Sequence, residues 1–341
     1  MPKLAALFTP ERAADVVDPA TRRLLEDHFE VVWAGAEHAA GPGSPGRPPA
    51  LDPAAVPALA AGADVLLTSW GTPHLGKDLW SDGTGPKVVA HAAGSVKNLI
   101  DPVILDQGVA VFSAGPRIAW SVGEYCLAAM LTLARRLPRF DAAIRAGGWK
   151  QTEFRGHELA GAKVGIIGAS STARALITLL KPFGCDIAVY DPYLTDERAK
   201  QLGVRLADLP ETVASTFLTI HVPNVPETKG MISRELVESV PDGAVVVNSS
   251  RGPAIDQQAL LDHVLDGRIY AAMDVYDPEP PKFGESILRA ENLLLTPHIA
   301  GDTAEGHLAL AGYVLKDVVQ WLEDGGRGPS FVDPASWSIA A

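Results

Sequence analysis

Val164-Gly165-Ile166-Ile167-Gly168-Ala169-Ser170-Ser171-Thr172-Ala173 decides the fold of this chain. The apolar, β-branched run fits a buried strand. Gly168 follows it as a turn residue, and Ser170, Ser171 and Thr172 bring the hydroxyl groups that favour a helix start. Strand, tight turn and helix in that order open a dinucleotide-binding βαβ unit, whose expected fingerprint is Gly-x-Gly-x-x-Gly. Gly168 holds the first of the three glycine positions; Ser170 and Ala173 stand at the second and third. The context supports the reading. The next apolar run, Ile187–Tyr190, ends in Asp191, about twenty residues on, where a carboxylate grips the adenosine ribose.

The two substitutions differ in consequence. Ala173 adds a methyl where helix and strand pack closely. Ser170 puts a side chain where backbone normally approaches a pyrophosphate. Either the cofactor is pushed outward, or the serine hydroxyl donates a hydrogen bond to phosphate; the second reading is preferred. A helix N-terminus with Ser171 and Thr172 as extra donors favours an anion. Asp191 is followed by Pro192 and Tyr193, with no arginine or lysine beside it, which favours NAD over NADP.

Outward from this unit, short apolar runs alternate with helical patterns, the signature of parallel α/β architecture. Strands are expected at Leu4–Phe8, Glu30–Trp33, Val65–Thr68, Val88–His91 and Ala110–Ser113, then at Val164–Ile167, Ile187–Tyr190, Phe217–His221, Ala244–Asn248, Ala271–Val275 and Leu293–Leu295. Gly41-Pro42-Gly43-Ser44-Pro45-Gly46-Arg47-Pro48-Pro49 reads as a mobile surface loop, because prolines remove donors and glycines add entropy. A long helical pattern covers Ala119–Ala146, interrupted at Pro138 and ended by Gly147-Gly148. A last helix is expected at about Thr303–Leu322.

The bulk numbers narrow the function. With 341 residues the chain suits two domains, each able to bury a core. A net charge of −12 argues against nucleic acid or an anionic membrane as partner. No apolar run is long enough to span a bilayer. The amino-terminal stretch from Met1 to Phe8 is too short for a signal sequence and reads as a first strand. Cys126 and Cys185 are the two cysteines; their apolar contexts suit buried thiols in the reducing cytoplasm. No Cys/His cluster has zinc spacing, so no metal is expected.

Three further segments carry chemistry: Asn248-Ser249-Ser250-Arg251-Gly252, Met273-Asp274-Val275-Tyr276-Asp277-Pro278-Glu279-Pro280 and Thr296-Pro297-His298-Ile299-Ala300-Gly301. An arginine, a carboxylate and a histidine follow in order, each at the end of a strand-like run. A guanidinium can hold a substrate carboxylate bidentately and polarise the neighbouring carbonyl. A histidine can deliver a proton. A carboxylate can orient that histidine and favour its charged form. Together they suit hydride transfer to a 2-oxo acid.

On these segments the chain resembles the NAD-dependent D-2-hydroxyacid dehydrogenases over nearly its whole length. The resemblance implies two Rossmann-like α/β domains with parallel sheets. One is a discontinuous, flavodoxin-like substrate domain of residues 1–117 and 302–341; the other is an NAD-binding domain of residues 118–301. It implies Arg251 as substrate binder and Glu279 as partner of His298, the general acid and base. The loop around Gly94, Ser95 and Val96 would receive the substrate carboxylate on backbone N–H groups, with Lys97 where the family often has aspartate. Trp70 would wall the pocket or pack in the core. Around the cofactor, His221 and Pro223 match the adenine-side segment, and Thr228 a segment near the cofactor. Asp274 matches the aspartate that receives the nicotinamide carboxamide, with Ser249 beside it. The long helix at Ala119 implies a homodimer. Formate is disfavoured, because formate dehydrogenases carry glutamine where this chain has Glu279. The implied activity is hydride transfer between NAD(H) and a small anionic 2-oxo or 2-hydroxy acid. Corepressor relatives keep a similar trio, so an NAD(H)-sensing regulator or a pseudoenzyme on the same fold stays open; the small amount of sequence beyond the two-domain core favours an enzyme.

Overall fold

Runs of Val, Ile, Leu and Ala that are apolar on both faces can only be satisfied in strands covered on both sides, which is the situation of a parallel sheet. The computed structural model, which describes residues 1–43, 48–81, 83–150 and 155–337, contains two such sheets in two separate units. Met1–Ile118 with Asp302–Ala341 forms one unit and Ala119–Gly301 the other. Residues 44–47 of the Gly41–Pro49 loop lie outside the described residues.

The first unit holds β1 (Lys3–Ala6), β2 (Glu30–Trp33), β3 (Val65–Thr68), β4 (Val88–His91) and β5 (Ala110–Ser113). All pair in parallel, in the order β2-β1-β3-β4-β5, the flavodoxin-like order. Successive residues point to opposite faces. Leu67 joins Phe8, Leu25 and Phe112 on one face, where the helix Leu310–Asp324 lays down Leu310, Val314, Leu315 and Val318. Leu66 joins Leu7, Val89 and Val111 on the other, under Leu59 and Ile104.

The second unit holds β6 (Lys163–Ile167), β7 (Asp186–Tyr190), β8 (Arg205–Leu206), β9 (Phe217–Ile220), β10 (Val245–Asn248), β11 (Tyr270–Met273) and β12 (Leu293–Leu295). The order is β12-β11-β10-β9-β6-β7-β8, again all parallel. The chain starts in the middle of this sheet, winds outward to β8, then returns to the other side of β6. The crevice between β6 and β9 is therefore a topological switch point, where ligands of open α/β sheets bind beyond the carboxyl ends of the strands.

The helical expectations need adjustment in their bounds. The pattern expected from Ala119 with an interruption at Pro138 is indeed two helices, but they run Gly115–Ala134 and Leu137–Arg145. The break comes before Pro138, at Arg136, whose φ is +53°. Proline is tolerated in the first turn of a new helix but not inside one, so the chain restarts just ahead of it. The last expected helix also divides, into Ala304–Leu308 and Leu310–Asp324. The edge strand β8, two residues long, was not expected. No helix among the described residues is long and apolar enough to cross a membrane.

Candidate active site

The phosphate loop begins where β6 ends. Gly168 adopts φ +92°, and a Cβ there would lie 2.7 Å from the carbonyl oxygen of His221, so both conformation and space demand glycine. Ala173 is completely buried; its methyl fits the helix–strand contact. Ser170 is the N-cap of the helix Ser171–Leu180: its Oγ accepts from the N–H of Ala173 at 3.5 Å. The first-turn N–H groups and the hydroxyls of Ser170 and Ser171 thus gather at one helix start beside the switch point, a donor set that fits a pyrophosphate; Thr172, expected as a further donor, is instead engaged behind them by Ser170 and His221.

Asp191, just past β7, closes this loop from the other side. Its Oδ2 accepts from the Ala169 N–H at 2.7 Å and its Oδ1 from the Tyr193 N–H at 2.8 Å. Each carboxylate oxygen keeps a second lone pair for ribose hydroxyls. The surroundings correct the argument from sequence neighbours. The fold brings the Arg174 guanidinium within electrostatic reach of Asp191 and of Arg198; burial lowers its pKa first, Arg198 lowers it further and Asp191 opposes them. The carboxylate is therefore not without a nearby cation.

The remaining cofactor candidates divide by exposure. His221 is buried, and burial lowers its pKa to about 3. Its Nδ1 lies 2.8 Å from Thr172 Oγ1 and its Nε2 3.0 Å from Thr219 Oγ1. Thr228 folds its own loop, donating to the carbonyl oxygens of Pro223 (2.6 Å) and Val225 (3.0 Å). Ser249 is buried against the Cys126 thiol at 3.1 Å, and burial pushes that thiol up to about 11.

Arg251, Glu279 and His298 sit on the loops that follow β10, β11 and β12, three adjacent strands of one sheet. Asn248 fixes the first loop: its Nδ2 donates to the Arg251 carbonyl at 2.9 Å and its Oδ1 accepts from the Ser250 N–H at 3.2 Å. Gly252 allows a close backbone crossing, since a Cβ there would be 2.1 Å from the carbonyl carbon of Tyr276. Arg251 is partly buried, which lowers its pKa, while the Glu279 charge acts in the opposite direction. The Glu279 carboxylate accepts from the Tyr276 N–H at 3.0 Å through Oε1, and its Oε2 lies 2.9 Å from His298 Nδ1. The histidine side chain is half exposed, so the pair contributes little to stability. What it does is engage Nδ1 and so orient the ring, which leaves Nε2 for another partner.

His298 adopts φ +58°, a left-handed conformation that costs a non-glycine residue about 1–3 kcal/mol. Asp274 supports that turn. Its fully buried carboxylate accepts from Thr296 Oγ1 (2.6 Å) and the N–H groups of Ile299 (2.8 Å) and Ala300 (2.8 Å). The sequence singled out Asp274 for a ligand contact; this structural role, bracing the loop that carries His298, was missed. Tyr125, whose hydroxyl pairs with Thr296 at 2.7 Å, and Tyr276, which hydrogen-bonds the Met273 and Thr296 carbonyls at 2.8 Å each, complete the brace.

In the first unit, Gly94, Ser95 and Val96 follow β4. Among the described residues, none accepts from their backbone N–H groups. Trp70 follows β3. Its ring lies 4.9 Å from that of His307, with the Arg12 guanidinium 5.5 Å over its centroid. Arg12 pairs with Asp15, and His307 lies between Asp15 (3.0 Å) and Asp302 (3.3 Å). This cluster carried no sequence signal, because Asp15 and His307 are 292 positions apart.

The fold and the strand-end groups define a two-unit α/β protein with a dinucleotide-binding half. Residues 127–300 match the family model for the D-isomer specific 2-hydroxyacid dehydrogenase, NAD binding domain. The chain belongs to that family, and NAD is its cofactor. It is 34% identical over 235 residues to a D-3-phosphoglycerate dehydrogenase of Archaeoglobus fulgidus, covering 68% of this chain and 45% of the relative. It is 32% identical over 320 residues to one of Mycobacterium tuberculosis, covering 90% of this chain and 58% of the relative. The chain thus spans about half the length of these curated relatives. A solved phosphoglycerate oxidoreductase from Rhizobium etli superposes with a TM-score of 0.80 at 22% identity, covering 98% of this chain and 99% of that one, and shows the same fold.

Proposed function

We propose that this protein transfers a hydride between NAD(H) and a small 2-oxo or 2-hydroxy acid. The observation that carries the reading is the His298–Glu279 pair at 2.9 Å, which joins the loops after β12 and β11 beside the loop after β10 that bears Arg251. NADH, held by the Gly168–Ala173 loop and Asp191, would supply the hydride for C2 of the oxo acid. Arg251 holds the substrate carboxylate and polarises the adjacent carbonyl. His298, its Nδ1 engaged by Glu279, presents Nε2 to the carbonyl oxygen and gives the proton; in the oxidative direction it takes one from the hydroxyl. Asp274 keeps the His298 loop in place. On the first unit by itself, the loop of Gly94, Ser95 and Val96 is proposed to receive a carboxylate on backbone N–H groups, and Trp70 to wall a substrate side chain. The family setting adds a cytoplasmic homodimer to the proposal, which light scattering on purified protein would test for its oligomeric part.

The test is oxidation of NADH, then NADPH, followed by absorbance over a panel of 2-oxo acids, with His298→Ala as control. The reverse reaction, with NAD and 3-phosphoglycerate, belongs in the panel because the relatives carry that name. NADH oxidation that disappears in the variant supports the reading. Binding of NADH without turnover of any panel member favours an NAD(H)-responsive protein or a substrate outside the panel, and no binding of NADH at all overturns the reading.

A further inference from the structure

The hydroxyl of Ser170 ends a continuous polar chain. Ser170 Oγ lies 2.9 Å from Thr172 Oγ1, which lies 2.8 Å from His221 Nδ1; His221 Nε2 lies 3.0 Å from Thr219 Oγ1. Thr219 in turn neighbours the Cys126 thiol, which meets Ser249 at 3.1 Å. Thr219, His221 and Cys126 are buried, so water cannot substitute for a missing partner.

Counting protons leaves two arrangements in which the Thr172 hydroxyl proton is itself hydrogen-bonded within the chain. The buried imidazole is neutral at ordinary pH and has one N–H. If the proton is on Nε2, it donates to Thr219; Thr172 then donates to Nδ1, and Ser170 donates to Thr172. In that state Ser170 turns a lone pair, not a proton, toward the phosphate loop. If the proton is on Nδ1, it donates to Thr172, which donates to Ser170. Ser170 Oγ then accepts from both Thr172 and the Ala173 N–H, and its own proton is free to point outward. Thr219 can follow either state, because it can donate to Nε2 or accept from it. Phosphate oxygens only accept hydrogen bonds, so they favour the second arrangement.

We infer that Thr172 and His221 are positioning residues for the cofactor: through them the Ser170 hydroxyl is turned to donate to the pyrophosphate, and cofactor binding selects the Nδ1–H tautomer of His221. The inference rests on the reading that the Gly168–Ala173 loop holds NAD(H). A glycine at position 170 would have no hydroxyl to aim. With serine there, the imidazole and Thr172 decide whether the extra side chain helps or repels the anion.

Two measurements test it. The first is NADH affinity by fluorescence titration of the wild type, Ser170→Ala, Thr172→Val, the double variant and Thr172→Ser. Each of the first two is expected to bind about tenfold more weakly, as for loss of one hydrogen bond to a charged group. The double variant should bind no more weakly than Ser170→Ala, because Thr172 acts through Ser170, and Thr172→Ser should restore wild-type affinity. Multiplying effects in the double variant would overturn the coupling. The second is ¹⁵N NMR of the imidazoles in the NADH complex of the wild-type protein, with His221 assigned by its disappearance in His221→Gln. A protonated Nδ1 supports the proposal; a protonated Nε2 overturns it even if a variant misfolds. A wild type that binds no NADH would overturn the cofactor reading itself, a result distinct from either of these.

Discussion

The phosphate loop and the Arg251–Glu279–His298 trio both sit at strand ends of one sheet, yet they obey their templates differently. The trio keeps the residue types that the proposed proton transfer needs, and its side chains are partly exposed. Its precision comes from behind, from Asn248, Gly252 and the buried Asp274 carboxylate. The phosphate loop has changed two of three glycine positions and keeps the backbone. Gly168 alone has both a left-handed φ and no room for a Cβ; position 173 takes a methyl at no exposure; position 170 takes an N-cap serine. A site that binds with backbone dipoles can exchange residues wherever φ and space permit. A site that reacts through side chains cannot.

His298→Ala should break the comparison most severely. Loss of a general acid or base lowers kcat by about 10²–10⁴-fold, while NADH affinity should stay within about twofold, because the phosphate loop is untouched. Steady-state kinetics and a binding titration on the same preparation check this; a parallel fall in affinity would mean that the two regions are not separable. Asp274→Asn comes next. It replaces an acceptor of three hydrogen bonds, two from backbone N–H groups beside the strained His298, by a side chain that can present one oxygen. A loss of about 2–4 kcal/mol in unfolding free energy is expected, together with a fall in kcat that exceeds any change in NADH affinity. If the variant unfolds like the wild type, the carboxylate does not brace the loop.

Much of this was readable before any coordinates. The eleven expected strands are present, with ends displaced by at most two residues, since β-branched runs closed by polar or glycine residues leave little choice. The placement of Arg251, Glu279 and His298 on neighbouring strand-end loops was readable because each follows such a run. Three features were not. Arg205–Leu206 is too short to show a period. The exact place of the helix break, at Arg136 rather than at Pro138 itself, depends on where a proline can be accommodated, not merely on its presence. The roles of Asp274 and His221 depend on which loops lie side by side, and no spacing along the chain encodes that: Asp274 reaches 26 residues to Ala300, and His221 reaches 49 residues to Thr172.

Each unit also buries one histidine at a strand end. Burial lowers His91, which bonds Thr68 at 2.9 Å, to about 4, and His221 to about 3, from 6.5. Both pKa values are depressed on folding. As the pH falls below 6.5 the unfolded chain takes up protons that the folded chain refuses until about pH 4 or 3, so stability is lost as the solution is acidified through that window. At pH 5 the loss is about 2 kcal/mol for each histidine relative to pH 7. Urea midpoints at the two pH values would show it, and His221→Gln should remove about half of the part due to these two residues. An unchanged pH dependence in that variant would mean that His221 titrates normally in the folded protein.

The smallest expected effect sharpens the comparison most. Ser170→Gly restores the second glycine of the fingerprint. Glycine is nearly as good an N-cap as serine, so the helix Ser171–Leu180 should lose only a few tenths of a kcal/mol. If the template were the optimum, NADH would bind more tightly, because backbone could approach the pyrophosphate. The hydrogen-bonded chain behind Ser170 points the other way: it lets the serine turn its proton outward when the anion binds, so that the hydroxyl would replace the contact a closer backbone makes, and removing it leaves Thr172 with no partner on that side. NADH affinity should therefore fall several-fold in Ser170→Gly, with the melting temperature nearly unchanged. A rise in affinity would show the serine to be an obstruction, and the loop would then have kept its backbone in spite of the substitution, not with its help.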